Sequence, residues 1–171
     1  MRMADGIEAV RRPVETVEPA TLRALYEWWN RARGERPWLL HAELRPWEFA
    51  AALPHIALVE RPSPERPGLY LRLVGEEIRN DRFGYIRGNL VENLAEIEWY
   101  RDHLVTRYYA ALAEAAPSFE AVRVVHEHKR IYYNRLILPL STDGAEVDML
   151  IVATVNVNPP DTWLDPEDRL A

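Results

Sequence analysis

The chain contains no cysteine. This absence excludes disulfides, thiolate metal sites, iron–sulfur clusters and cysteine nucleophiles. Positive charge is also scarce, because 21 Lys and Arg residues stand against 27 Asp and Glu residues and leave a formal net charge of −6. A protein that binds a phosphate backbone needs the opposite balance. We therefore expect no nucleic acid among the partners of this protein.

Long apolar segments and catalytic motifs are missing as well. No run approaches the ~18 apolar residues that a membrane span requires, and the first twenty residues carry charges where a signal peptide has an apolar block. We expect a soluble, cytoplasmic protein without a membrane partner. The sequence also lacks a Gly-rich phosphate loop, a Gly-x-Ser-x-Gly elbow and a Glu/His metal motif. These absences predict that it is not an enzyme.

What the chain does contain is typical of one globular domain. Its 171 residues are 48% apolar and include six Trp and eight Tyr, so large aromatic side chains must fill a core or line a cavity. We predict a flexible N-terminal arm over residues 1–17, a domain over residues 18–157, and a Pro-rich acidic tail over residues 158–171.

The domain is predicted to begin with an amphipathic helix and to contain a second, longer one. The first helix is favoured by a stripe of apolar residues between Pro19 and Gly34. The longer helix is predicted from a capping pair, Asn93 with Glu96, to Pro117. On this helix the stripe includes Tyr100 and Tyr108, and the remaining face is predicted to be solvated and carries Glu98, Arg101, Asp102 and Arg107.

Five segments have the alternation or the β-branched content of strands: residues 55–60, 69–74, 120–128, 131–140 and 146–157. The last two are joined by Ser141–Gly144, whose Asp-Gly pair favours a hairpin turn. A short helix is predicted over residues 47–53. This order predicts an α+β fold with one five-stranded antiparallel sheet and helices on one face. The order of the strands stays open.

Four phrases of the sequence carry a family resemblance. They are Leu25–Trp29, Leu53–Leu58, Tyr70–Gly75, and Leu138–Gly144 followed by Val147–Leu150. The predicted element order is two hairpin strands, short helices, a longer helix and three antiparallel strands. In these features the chain resembles a bacterial family of single-domain PAS proteins, over residues 20–157.

The resemblance implies a sensory or regulatory domain with a PAS-like sheet and a helical lead-in that often dimerises. Domains of this fold hold flavin, haem or small acids, or have no known ligand, so the cofactor stays unknown. Photoactive flavin adducts and thioester-bound chromophores both need a cysteine, which this chain lacks. No catalytic output segment is recognisable, so a signal would pass in trans to a partner protein. The alternatives are a ligand-free dimerisation or docking module and, last, a small cavity enzyme.

Six residues are candidates for binding a small ligand. An arginine on an otherwise apolar sheet face can anchor an acidic group through a bidentate pair. Arg72 shares a strand face with Tyr70, and Arg135 shares one with Tyr133. Tyr100 and Tyr108 on the long helix could close a polar cavity above the sheet. A purely structural use is open too, in which either arginine pairs with Asp148 or Glu127 across strands.

The first helix is the candidate interface. Leu22, Leu25 and Trp29 lie on its apolar stripe, and Trp28 lies beside it, where it is predicted to be exposed. An exposed tryptophan on an amphipathic helix suggests a homodimer or docking surface. Packing against the domain's own sheet is the alternative.

Histidines and acids give weaker candidates. His126 and His128 share one strand face without a third ligand, which predicts no metal site. His103 on the long helix is where a haem ligand would stand, but it lies at the edge of the stripe, so haem is not expected. An enzyme would pair Asp148 with Tyr132 or Tyr133.

Overall fold

The computed structural model describes residues 4–78, 87–94 and 97–159, and these residues form one seven-stranded sheet with two α-helices. The strands are β1 Gly6–Arg12, β2 Leu39–Leu40, β3 Ile56–Glu60, β4 Tyr70–Val74, β5 Ser118–His126, β6 Lys129–Ser141 and β7 Met149–Asn156. The helices are α1 Ala20–Arg33 and α2 Glu98–Glu114. Short 3-10 helices lie at Val14–Thr16, His41–Glu43, Pro46–His55, Glu76–Ile78 and Val91–Asn93.

The strands lie in the order β1-β5-β6-β7-β3-β4, and the neighbours along this path are antiparallel. The two-residue β2 adds a short parallel pairing to the end of β6. All five strands predicted from the sequence are present in this sheet, and the α+β fold class is confirmed. The element order is the one expected of a PAS-like domain: a hairpin, short helical turns, a longer helix and three antiparallel strands.

The N-terminal segment differs from the predicted flexible arm. Gly6–Arg12 pairs with β5 from Gly6 opposite Val125 to Arg12 opposite Phe119, so it forms an edge strand. Ile7 and Ala9 pack beside Val122 and Val124 on one face of the sheet. Backbone hydrogen bonds with the edge of β5 hold this charged segment in the sheet. Its own alternation of apolar and polar residues is too weak to predict a strand.

The two α-helices lie on opposite faces of the sheet. Helix α1 keeps the predicted limits, between Pro19 and Gly34, and packs against the face that carries Leu136, Leu138 and Leu140. Helix α2 packs against the face that carries Ile137, Leu150 and Val152. Both faces of the sheet therefore carry a helix, whereas the sequence predicted helices on one face. Successive residues of β6 and β7 point to opposite faces, so the same two strands supply both cores.

Helix α2 is shorter than predicted at both ends. It begins after Ile97, whereas Val91–Asn93 forms a separate 3-10 turn, and Glu96 lies outside the described residues. It ends where Ala115 takes a left-handed conformation, before Pro117. Of the predicted tail only residues 158 and 159 belong to the described part of the chain, and they form neither helix nor strand.

Gly75, at the end of β4, stands where the backbone of the preceding helical segment comes close. Its amide donates to the carbonyl oxygen of Ile56 at 2.7 Å. A Cβ at this position would collide with the backbone carbonyl of Pro54. Only glycine lets the β3–β4 hairpin lie this close to the 3-10 helix Pro46–His55.

Candidate functional site

A group of charged residues lies between α2 and the sheet, on the face that α2 covers. Glu120 on β5 and Arg135 on β6 are directly opposite each other in the strand register, and α2 places Arg107 above them. All three are buried, and Arg135 is 0% exposed. Charged residues in such positions must be paired or serve a function. We call Arg107, Glu120 and Arg135 the charged cluster.

Glu120 connects the two arginines. Its Oε1 accepts from Arg107 Nε at 2.6 Å, and its Oε2 accepts from Arg135 Nε at 2.8 Å. Arg107 Nη2 donates in addition to Ser118 Oγ at 2.7 Å. Burial alone would raise the pKa of Glu120, but the charges of Arg135 and Arg107 outweigh burial and hold that pKa below its ordinary value. Glu120 is therefore ionised at neutral pH.

Two guanidinium nitrogens of the charged cluster lack a hydrogen-bond acceptor among the described residues. They are Arg135 Nη1 and Arg107 Nη1, and both are buried. Arg107 Nη1 lies 3.8 Å from Glu114 Oε1, an ion-pair distance, whereas no ion pair reaches Arg135 Nη1 among the described residues. A buried donor without an acceptor costs about 1–3 kcal/mol, and more when it is charged.

Three tyrosines surround the charged cluster. The hydroxyl groups of Tyr100 and Tyr133 lie 3.2 Å apart. Tyr108 is buried on α2, where the charge of Arg135 acts on its hydroxyl group. Burial raises the pKa of both Tyr108 and Tyr133 well above the ordinary value. These hydroxyl groups therefore stay protonated and add no negative charge to balance the arginines.

His103 joins the cluster from the rim of α2. Its Nε2 lies 3.1 Å from Arg135 Nη2. Because a guanidinium group only donates, Nε2 must be the unprotonated acceptor. Burial, reinforced by the charge of Arg135, lowers the pKa of His103 to about 4. The imidazole is neutral at physiological pH, and the Nε2 lone pair that a haem iron would need is engaged by Arg135.

Four of the six predicted ligand-binding residues come together here: Tyr100, Tyr108, Tyr133 and Arg135. The sequence placed Tyr133 and Arg135 on one strand face and Tyr100 and Tyr108 on the inward side of the long helix, as the structure does. Ligand binding by these residues stays a prediction. Tyr70 and Arg72 on β4 do not join them, because these side chains are on the opposite strand face from Leu71, which packs in the core under α2. Arg72 forms an exposed ion pair with Glu60, and Arg66 lies over the ring of Tyr70 at 3.8 Å.

The four residues predicted to form an interface are buried in the structure, which corrects that prediction. Leu22, Leu25 and Trp29 are fully buried in the core under α1, and Trp28 is 6% exposed. Trp28 packs against Phe49 with ring centroids 4.6 Å apart, and its indole Nε1 donates to Glu48 at 2.5 Å. The segment Pro46–His55 covers the side of α1 on which Trp28 stands, so these four side chains are used inside the domain and are not at its surface.

The remaining candidates are dispersed. His126 pairs with Asp5 at 3.0 Å, and His128 stands in the turn between β5 and β6. Among the described residues no group of three or more potential ligands could hold a metal ion. Asp148 accepts hydrogen bonds from Thr142 at the far end of the β6–β7 hairpin, roughly 23 Å along β6 from Tyr133 at ~3.3 Å per residue. The pairing that a small enzyme would need is not formed.

Sequence reasoning missed Arg107 and Glu120. Arg107 was assigned to the solvated face of α2, yet it lies three residues after Leu104 and four before the buried Ala111. Glu120 lies two residues before Val122, on the same strand face. Opposite charges at inward positions of two elements were the signal that could have revealed the pair.

Comparisons with known proteins add little. No protein-family model and no curated protein matches the chain. It is similar to a solved structure of an RNA-binding light-oxygen-voltage receptor, with 12% sequence identity and a TM-score of 0.42. The alignment covers 90% of this chain but only 39% of that one. No described helix is long and apolar enough to cross a membrane. The fold assignment therefore rests on the element order and the sheet of this protein itself.

Proposed function

We propose that this protein is a PAS-type sensory domain that binds a small ligand between α2 and the sheet and passes the signal to a partner protein. The observation that carries the proposal is Arg135 Nη1, a fully buried donor of a charged side chain with no acceptor among the described residues. Native proteins leave few such groups unsatisfied, and a ligand is one way to satisfy them.

The surroundings of this atom support a binding role. Tyr100, Tyr108 and Tyr133 offer hydroxyl groups and aromatic surface next to Arg135, a combination common in small-molecule sites. Glu120 contacts Arg107 through Nε and Arg135 through Nε and Nη2, and it does not reach the remaining Nη1 donors. The neighbouring His103 is an acceptor only through Nε2, which Arg135 Nη2 already uses.

A chain of ion pairs supports the passing of a signal to the surface. Arg107 approaches Glu114 at the end of α2, and Glu114 binds Arg11 of β1 at 3.0 Å. A ligand that moved Arg107 would change contacts at this exposed sheet edge. We propose that a partner reads this change, and that the domain itself catalyses no reaction. Self-association stays a prediction of the sequence, now without an assigned surface.

A ligand screen tests the proposal. The purified full chain would be screened by thermal shift against a library of small metabolites of all charge types, and the hits would be checked by native mass spectrometry. At least one compound should raise the melting temperature in a saturable way, with one molecule bound per chain. If no compound in the library binds, and the protein carries none from expression, the sensory proposal is wrong.

A further inference from the structure

We infer that a row of apolar residues at one end of the sheet binds the side chains of Trp163 and Leu164, which follow the described part of the chain. The row consists of Ile7, Val124 and Ile131, and we call it the apolar row. None of these residues belongs to the charged cluster, so the inference does not depend on the proposed function.

The apolar row crosses three neighbouring strands, β1, β5 and β6. Ile7 lies opposite Val124 in the strand register, and Val124 lies opposite Ile131. Trp99 of α2 packs against the core cluster that contains Val124. Ile131 is exposed, and Ile7 and Trp99 are half-buried. Single exposed apolar residues are ordinary, but contiguous exposed apolar surface is typical of a binding site.

The chain leaves the sheet beside the apolar row. The amide of Val157 donates to the carbonyl oxygen of Tyr132 at 3.0 Å, one residue along β6 from Ile131. Pro159 and Pro160 follow, and they lack the amide hydrogen that a further ladder bond with β6 needs. The segment after β7 therefore starts next to Ile131 without continuing the sheet.

Trp163 is within reach of the whole apolar row. Strand β1 lies three strands away from β7, roughly 14 Å at ~4.8 Å per strand. The six residues from Val157 to Trp163 span up to about 20 Å when extended. A segment that crosses over β6 and β5 can therefore bring the indole to any residue of the row.

The adjacent Trp163 and Leu164 have the chemistry that such a row binds. Tryptophan offers a large apolar surface, and aromatic residues are enriched at the centres of binding surfaces. Because the segment belongs to the same chain, its effective concentration at the row is about millimolar, as for short linkers in general. A contact too weak to hold two separate molecules together is then sufficient.

Charge favours the same placement. Asp161 and Asp165 lie on the two sides of the apolar pair. At the beginning of β6, Lys129 and Arg130 are exposed beside the row. The carboxylate of Glu127, in the turn before them, is 3.9 Å from an imidazole nitrogen at the end of β5. Exposed ion pairs add little affinity, but complementary charges set the orientation in which a segment binds.

NMR spectra of the full chain with and without the indole test the inference. An indole ring displaces the methyl resonances of the residues it packs against, so Trp163→Ala should shift the methyl resonances of the apolar row. Trp47→Ala is the control, because it removes an exposed indole from the segment that packs on α1, on the other face of the sheet. It should leave the row's resonances unchanged. Methyl resonances of the row that do not move in W163A would overturn the inference.

The second test changes the row, with Ile131→Ser compared with Leu73→Ser. Ile131 is 42% exposed and Leu73 is 37% exposed, so neither replacement opens the core. The indole N–H resonance of Trp163, identified by its loss in W163A, should move to the position of a solvated indole in I131S and stay unchanged in L73S. A resonance that does not respond to I131S contradicts the inference; if I131S does not fold, the W163A comparison decides alone.

Dilution separates a contact within one chain from a contact between two copies. Spectra of the unmodified protein and of W163A would be recorded at a high and a low protein concentration. The differences at the apolar row should be the same at both concentrations. Differences that disappear on dilution would place the segment of a second copy on the row and overturn the inference. A failed ligand screen would refute the proposed function without affecting any of these results.

Discussion

Glu120 is the residue on which the buried charges depend. It is the sole carboxylate within hydrogen-bond distance of Arg107 and Arg135 among the described residues, and it is 4% exposed. A buried ion pair contributes little over a well-packed apolar pair, but removing one partner leaves the other charge buried without compensation. The cluster is therefore sensitive to changes that an exposed pair would tolerate.

Glu120→Gln should lower the free energy of unfolding by about 3–5 kcal/mol, because two guanidinium groups then share a neutral amide in a buried place. Urea denaturation at neutral pH measures this loss. Glu8→Gln on β1 is the matched control, since Glu8 pairs with Arg123 at the surface of the same sheet. Its expected cost is less than about 1 kcal/mol. Equal losses in the two variants would show that the cluster is solvated and not buried.

His103 should make stability depend on pH. The unfolded chain takes up a proton near the ordinary pKa of 6.5, but the folded chain resists protonation until the pKa of about 4. Stability is therefore complete above pH 6.5 and falls as the pH is lowered towards 4. The whole shift corresponds to roughly 3 kcal/mol, and for a half-buried group we expect about 1–2 kcal/mol.

His103→Gln separates this effect from other acid-sensitive groups. Glutamine offers an oxygen to Arg135 but does not titrate. Urea denaturation of both proteins at pH 7 and pH 4.5 should show a smaller loss of stability on acidification in H103Q. The same pH dependence in H103Q and the unmodified protein would mean that the imidazole is not buried against Arg135.

At the scale of elements, local sequence signals were reliable where an element's ends are chemically marked. Pro19 and Gly34 bound α1 as predicted. The predicted hairpin of β6 and β7 is present, but a loop of residues 142–148 joins its strands in place of a tight Asp-Gly turn. The burial of Trp28 on the side of α1 could not be predicted in this way. It depends on the 3-10 helix Pro46–His55 folding back over α1, which is a contact between distant parts of the chain.

The two tryptophans of this contact region allow a matched comparison. Trp28→Ala should cost about 3–5 kcal/mol, because it removes a buried indole ring from Phe49. Trp47→Ala should change stability by less than about 0.5 kcal/mol, because Trp47 is 74% exposed. Chemical denaturation gives both values. If W28A kept its stability but dissociated in sedimentation velocity, Trp28 would be an interface residue after all.

At the scale of the whole molecule, periodicity predicted which segments pair but not how the sheet is ordered or covered. The strand pattern gave the antiparallel α+β class, because alternation is a property of each strand alone. The edge strand β1 escaped notice since only Ile7 and Ala9 of its residues face the core beside β5. Likewise, the site was half predicted: Arg135 and the tyrosines follow from their own elements, whereas Glu120 matters only through partners on α2 and β6.

The sheet order predicts how protection from hydrogen exchange varies across the molecule. Strand β6 pairs with both β5 and β7 over residues 133–137, so its amides from Tyr133 to Ile137 should exchange only through global unfolding. At the edge of β4, Leu71 donates a backbone hydrogen bond to Asn89 at 3.0 Å and accepts one from Gly88 at 2.8 Å.

Strand β1 is paired on one side only among the described residues, and in an antiparallel ladder alternate residues donate to the neighbour. Exchange measured by NMR should therefore alternate between slow and fast along Gly6–Arg12, with the slow amides still exchanging faster than those of β6. Uniformly fast exchange over this segment would show that it behaves as the flexible arm that its charged sequence predicted, and not as a strand of the sheet.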